Sequence, residues 1–80
     1  ADVGLGKGYL SYGQYDKAAV ALQRGLGKGG LSDKAEVQLL VGIAQLKSGK
    51  KDDAIKSFNS LKDDAKYGRL AGLWALHARS

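Results

Sequence analysis

The chain has no cysteine, no proline and no methionine, and it has one histidine, His77. Without cysteine there is no disulfide, no thiolate metal site and no cysteine nucleophile, and the redox compartment stays open. A lone histidine with no cysteine beside it does not make a zinc site of the ordinary kind. Methionine is missing even from the first position. With Ala1 there, and with no signal segment or lipidation motif, the chain reads as a processed or excised piece of a longer protein. No run of about 18 apolar residues occurs, so no membrane insertion is expected. Aromatic residues are only 8% of the chain, and the 13 lysines and arginines are scattered, with the acidic pairs Asp52-Asp53 and Asp63-Asp64 between them. The net charge of +5 is therefore read as a solvated surface, and a nucleic-acid partner is not expected.

What is present is helical periodicity. Eighty residues form one small domain, 1–80, which buries about 60–65% of the surface that its unfolded chain exposes. Five helical segments are predicted. The first, roughly Asp2 to Tyr12, has Leu5, Tyr9 and Tyr12 on one face, although Gly4, Gly6 and Gly8 weaken it by about 1 kcal/mol each relative to alanine. Gly13 ends it. The second starts at Gln14-Tyr15-Asp16, with an acid near the positive end of the helix dipole, and is stopped by Gly27 to Gly30. The third opens at Ser32-Asp33, with Ser32 as N-cap and Glu36 nearby, and runs to Ser48 before Gly49 stops it. The fourth carries Ala54, Ile55, Phe58 and Leu61 at helical spacing, and the fifth, about Asp64 to Ala78, carries Tyr67, Leu70, Ala71, Trp74 and Ala78.

The stretch GLGKGG, Gly25 to Gly30, contains a literal G-x-G-x-x-G. A dinucleotide fingerprint needs a strand leading in and a helix leading out, because the helix N-terminus supplies the anion-binding N–H groups. Here a helical run, DKAAVALQRGL, leads in, so the glycines are read as a helix stop. A Walker A loop is excluded as well, since Lys7 and Lys28 are each followed by glycine and no Ser or Thr follows to hold magnesium.

Laid over itself at an offset of 36 residues, the chain repeats. LGKGYLSYGQYDKAAVALQRGL falls on VGIAQLKSGKKDDAIKSFNSLK, and Gly6/Gly42, Leu10/Leu46, Gly13/Gly49, Asp16/Asp52 and Ala18/Ala54 coincide. Leu5/Val41 and Leu22/Phe58 add apolar residues at matching points. These identities sit where a helix hairpin constrains its residues: a small residue at a close approach, a glycine at the turn, an alanine on the returning helix.

The pattern resembles the tetratricopeptide repeat (TPR), whose signature is a Leu-Gly, a tyrosine three on, and a later alanine and phenylalanine. Leu5-Gly6, Tyr9, Gly13, Tyr15, Ala18, Leu22 and Gly25 fill those places in one unit, and Val41-Gly42, Gly49, Ala54 and Phe58 in the next. Asp2 and Gln38 stand in the tryptophan place, Gln45 replaces the tyrosine, Leu61 takes a usually small position, and no proline closes either unit. The resemblance implies an all-α fold: two helix-turn-helix repeats, about 2–31 and 32–64, in a short right-handed superhelix, with a capping helix at about 65–79. Trp74 is expected to pack on Phe58 and on the third helix. The run ALQRGLGKGGLSDKAEVQLLVGIAQLKSGKKDDAIKSF is similar to the C-terminal repeats of exported bacterial members, which would imply a periplasmic parent.

No catalytic constellation is expected. His77 near a helix end reads as a partly exposed cation, and the acidic pairs sit at helix starts, where they complement the dipole. No cofactor or metal is implied, and the chain is not expected to be an enzyme. The resemblance implies instead a protein or peptide segment bound on the concave face. Its lining would be Lys7, Leu10 and Ser11 from the first unit and Leu39, Ile43, Leu46 and Lys47 from the second. The fifth helix, aligned at an offset of 30 by Ala71-Gly72 on Val41-Gly42, would add Arg69, Leu73 and His77. These residues make an apolar strip with a basic rim, suited to apolar anchors with acidic flanks. The other readings are a structural cap of a longer repeat array, self-association through the end formed by Asp2 to Tyr12, and weak nucleic-acid binding from net charge. From the glycine reading, titration with ATP or NAD to millimolar concentration should show no saturable binding; micromolar binding lost in Lys28→Ala would overturn it.

Overall fold

The computed structural model describes residues 2–29 and 33–79, and these form helices and the connections between them, with no strand. The helices are α1 (Asp2–Ser11), α2 (Tyr15–Lys28), α3 (Lys34–Lys47), α4 (Lys51–Asn59) and α5 (Gly68–Arg79). Each packs on its neighbour in the chain, and α3 also touches α5.

Two hairpins, α1–α2 and α3–α4, are built from the same local pieces. Gly13 and Gly49 adopt φ of 75° and 88°, a left-handed backbone that glycine reaches without the penalty of a Cβ. Around each, the chain closes the helix end in the same way. Gly13 N donates to Leu10 O and Gln14 N to Tyr9 O; Gly49 N donates to Leu46 O and Lys50 N to Gln45 O. This is the Schellman arrangement, which covers carbonyls that the helix end leaves bare.

The contact between the two helices of a hairpin also recurs. A Cβ on Gly6 would lie 2.5 Å from Leu22 Cγ, and one on Gly42 would lie 2.5 Å from Phe58 Cε1. The returning helix therefore drives its largest apolar residue against bare backbone. Leu22 and Phe58 are fully buried, and so are Ala18 and Ala54, one turn before them. The core is correspondingly rich in alanine. Leu22, Val37 and Val41 fill the space between α2 and α3, beside Ala18, Ala19 and Ala44. A larger cluster of Leu39, Ala54, Phe58, Leu61, Ala71 and Ala75 joins α3, α4 and α5.

Several places differ from the sequence reading. The fifth helix begins at Gly68, not Asp64: residues 64–67 form a turn in which Asp64 Oδ1 accepts from Lys66 N and Tyr67 N. α1 ends at Ser11, one residue early, and α2 runs through Gly27 to Lys28, so the stop is Gly29, with φ 74°. Asp33 caps α3, its Oδ1 accepting from Glu36 N at 3.1 Å, while Ser32 lies outside the described residues. The second oxygen of Asp33 accepts from the Tyr67 hydroxyl at 3.2 Å, with Lys66 Nζ 3.8 Å away, so one carboxylate ties the start of α3 to the turn before α5.

The irregular residues of the second unit also acquire reasons. Gln45, which stands where the first unit has Tyr9, accepts from Ser57 Oγ at 2.6 Å, and Ser57 stands where the first unit has Ala21. A tyrosine–alanine pair has become a buried hydrogen-bonded glutamine–serine pair, so neither polar group is orphaned. Leu61 lies beyond the end of α4, which has nine residues against fourteen in α2, and turns back into the core at 6% exposure. The short α4 accounts for most of the drop in offset from 36 to 30.

The close approach at Gly42 and the open space at Gly72 predict opposite effects of the same change. Gly42→Ala forces a Cβ into the buried Phe58 ring, an overpacking of about 1–3 kcal/mol that should outweigh the about 1 kcal/mol gained in helix propensity. At Gly72 a Cβ meets nothing within 4 Å, so Gly72→Ala should raise the thermal midpoint. Melting curves that move the same way for both variants would contradict this packing.

Candidate partner-binding site

The residues expected to line a concave face lie on α1, α3 and α5, and the structure divides them. Lys7 and Ser11 are exposed on α1. Lys7 Nζ sits 3.2 Å from Glu36 Oε1 on α3, and Ser11 Oγ donates to Lys7 O one turn back. Both side chains of the ion pair are about half exposed, so its contribution is at most about 1 kcal/mol; it offsets one charge of the expected basic rim. Glu36 was visible in the sequence only as a capping candidate. Its position opposite Lys7 depends on how α1 and α3 pack.

Leu39 does not line an open surface. It is 6% exposed, within the cluster that joins α3, α4 and α5, so its place in the expected strip is corrected to core. Leu10 and Leu46 are half-buried: Leu10 packs beside Ala18, Ala19 and Ala44, and Leu46 against the cluster around Phe58. Ile43 is half-buried at the same cluster. Lys47 is exposed, with Nζ 5.8 Å from the centroid of the Tyr15 ring. Arg69, Leu73 and His77 are exposed on α5.

An apolar depression lies at α5. Leu70, Leu73, Trp74 and His77, spaced i, i+3, i+4, i+7, line a shallow groove of about 270 Å³. Trp74 was expected to pack on Phe58 and on the third helix. It stacks on Phe58, with ring centroids 6.0 Å apart and planes at 23°, but it is only half-buried and its remaining surface faces the groove. His77 meets the Trp74 ring edge-on at 6.0 Å. Leu70 and Trp74 are thus the lining residues that sequence reasoning missed, although their spacing with Leu73 and His77 carried the signal.

A second open groove, of about 380 Å³, lies at the other end of the molecule between α1 and α2, lined by Leu5, Tyr9, Asp16, Lys17, Val20, Ala21 and Arg24. Leu5 and Val20 are 48% and 51% exposed there. This is the end considered in the sequence for self-association.

Of the GLGKGG stretch, the described residues 25–29 line neither groove. Gly25 is buried, and a Cβ there would lie 2.9 Å from Val3 Cγ2, so the glycine admits the start of α1. Lys28 reaches back to Asp2, Nζ to Oδ2 2.7 Å, with Arg24 Nη1 3.9 Å from Oδ1. Among the described residues no three His, Asp or Glu side chains converge as metal ligands, and no helix is long and apolar enough to cross a membrane. Comparison of the chain with protein-family models, with curated proteins and with solved structures finds no match.

The Lys28 ammonium holds the Asp2 carboxyl below its ordinary value; partial desolvation opposes this and Arg24 adds to it. A carboxylate with a folded-state value below its unfolded value of about 3.9 stabilises the fold above that pH, and the contribution is lost as pH falls through the folded value. Lys28 is 68% exposed, so the effect is small. Lys28→Ala should lower the thermal midpoint slightly at about pH 6 and reduce the further drop on acidification to about pH 3. Identical drops in the two proteins would show that the pair contributes nothing in solution.

Proposed function

We propose that this chain is a TPR-type interaction module without catalytic activity, which binds a partner segment along the face formed by α1, α3 and α5. One observation carries the repeat reading. The Gly6–Leu22 and Gly42–Phe58 contacts, and the turns at Gly13 and Gly49, recur at the single offset found in the sequence. An array of such hairpins gives an extended surface on which a segment can lie. The partner is a segment with apolar anchors and acidic flanks. The anchors meet Ile43 and the Leu70, Leu73, Trp74 and His77 groove, and the flanks meet Lys47 and Arg69. Leucine and tryptophan surface supplies affinity, and the rim charges mainly speed encounter.

The test is selection of binders from a displayed peptide library on the full chain, followed by titration. Trp74 is the only tryptophan, so its fluorescence reports on the groove without labelling. Ile43→Asp and Leu73→Asp should each weaken selected peptides at least about tenfold, which is about 1.4 kcal/mol, and Lys47→Glu should mainly slow association. If the variants keep their helical circular dichroism and bind every selected peptide undiminished, this face is not the binding site.

A further inference from the structure

A helix that caps an array is expected to turn a polar face outward. α5 does not. Leu70, Leu73 and Leu76 are 43%, 60% and 64% exposed. The internal repetition explains why. α5 packs on α4 as α3 packs on α2: Ala71 and Ala75 share a cluster with Phe58, and Val41 shares one with Leu22. In sequence, Leu70-Ala71-Gly72-Leu73 and Leu76 stand where α3 has Leu40-Val41-Gly42-Ile43 and Leu46. On α3, one face carries Leu39, Gly42 and Leu46, and α4 covers it, with Phe58 against Gly42. At 100° per residue, the same face of α5 carries Arg69, Gly72 and Leu76. There the space over Gly72 is open, with nothing within 4 Å of where a Cβ would be. It lies round the helix from the groove of Leu70, Trp74 and His77.

We propose that the Gly72 face of α5 is a docking seat for one antiparallel amphipathic helix of the α2 and α4 pattern. Such a helix presents an alanine, then a leucine or phenylalanine four residues on, and carries acid in its first turn. The large residue sits over Gly72, as Leu22 sits over Gly6 and Phe58 over Gly42. The acid matches the end of α5, whose last turn holds His77 and Arg79, just as Asp16 and Asp52 open the helices that follow α1 and α3. The occupant is named by continuity: the chain already makes this interface twice, and α5 presents it a third time. The seat does not depend on partner binding at the groove of Leu70, Leu73, Trp74 and His77.

The chain, with Arg79→Gly to supply the turn glycine, is extended after Ser80 by a copy of residues 51–62, so that the copied phenylalanine falls sixteen residues after Gly72, as Leu22 falls after Gly6 and Phe58 after Gly42; the tether holds this α4-type helix near the seat at about millimolar effective concentration. The extended chain should melt at least about 5 °C higher than the parent, a shift expected from a few well-packed contacts in a domain of this size. Its Gly72 amide should shift in NMR spectra, and the added segment should become helical. Gly72→Leu should abolish the rise in the extended chain while leaving the parent folded, because a side chain there meets no neighbour. Replacing the copied phenylalanine by alanine should also remove the rise. An added segment that stays disordered, or a rise that survives Gly72→Leu, overturns the proposal. So does a parent chain that dimerises through this face and becomes monomeric in Gly72→Leu, since the seat then belongs to a second copy. Loss of peptide binding in Ile43→Asp or Leu73→Asp has no bearing on these outcomes, so the two readings fail separately.

Discussion

Bare backbone at Gly6 and Gly42 is the constraint on which the rest of the molecule depends. Leu22 and Phe58 occupy the volume that a Cβ would need, and this sets how closely the two helices of each hairpin lie. The same glycines weaken the helices that carry them. α1 has three within ten residues, each costing about 1 kcal/mol of propensity. Burying a leucine or phenylalanine returns about 1.5–3 kcal/mol. α1 is therefore a helix because α2 lies against it, and its stability belongs to the hairpin. The fully buried Ala18 and Ala54 complete the arrangement, since a longer side chain one turn before Leu22 or Phe58 would push the helices apart.

Polar contacts act at the ends of the helices, where backbone groups lack partners. Asp33 serves two ends at once, capping α3 with one oxygen and holding Tyr67 and Lys66 with the other. The Tyr67 hydroxyl and, after it, Asp33 hold the Lys66 ammonium above its ordinary value. Asp2 and Lys28 pin the outer ends of α1 and α2 together. The Gln45–Ser57 pair is the exception, a hydrogen bond inside the stack. It works because both members changed together relative to Tyr9 and Ala21; either change alone would leave a buried polar atom unsatisfied.

Consecutive packing of hairpins leaves two ends that differ. At one, Leu5 and Val20 border the groove between α1 and α2; at the other, α5 carries a row of leucines and an open glycine. The groove of Leu70, Leu73, Trp74 and His77 is a different kind of surface. Its tryptophan stacks on Phe58, which restrains the ring.

The sequence by itself determined the helices, the hairpin turns and the 36-residue register, because these rest on local chemistry. Apolar spacing marks a helix, and a glycine at positive φ ends one whatever lies beyond it. It also determined that GLGKGG follows a helix, since the preceding residues show the period directly. Only the tertiary structure decided where α5 starts, where Leu39 and Leu61 go, and how much of Trp74 stays open to the groove beside its contact with Phe58. The short α4 ends before Leu61, which turns into the core, and Leu39 joins the same cluster around Phe58. The pairing of Lys7 with Glu36 was likewise decided by packing between helices far apart in sequence. Residue spacing records which side of a helix is apolar; which neighbour covers that side, and whether any does, depends on how far each helix runs before the chain turns.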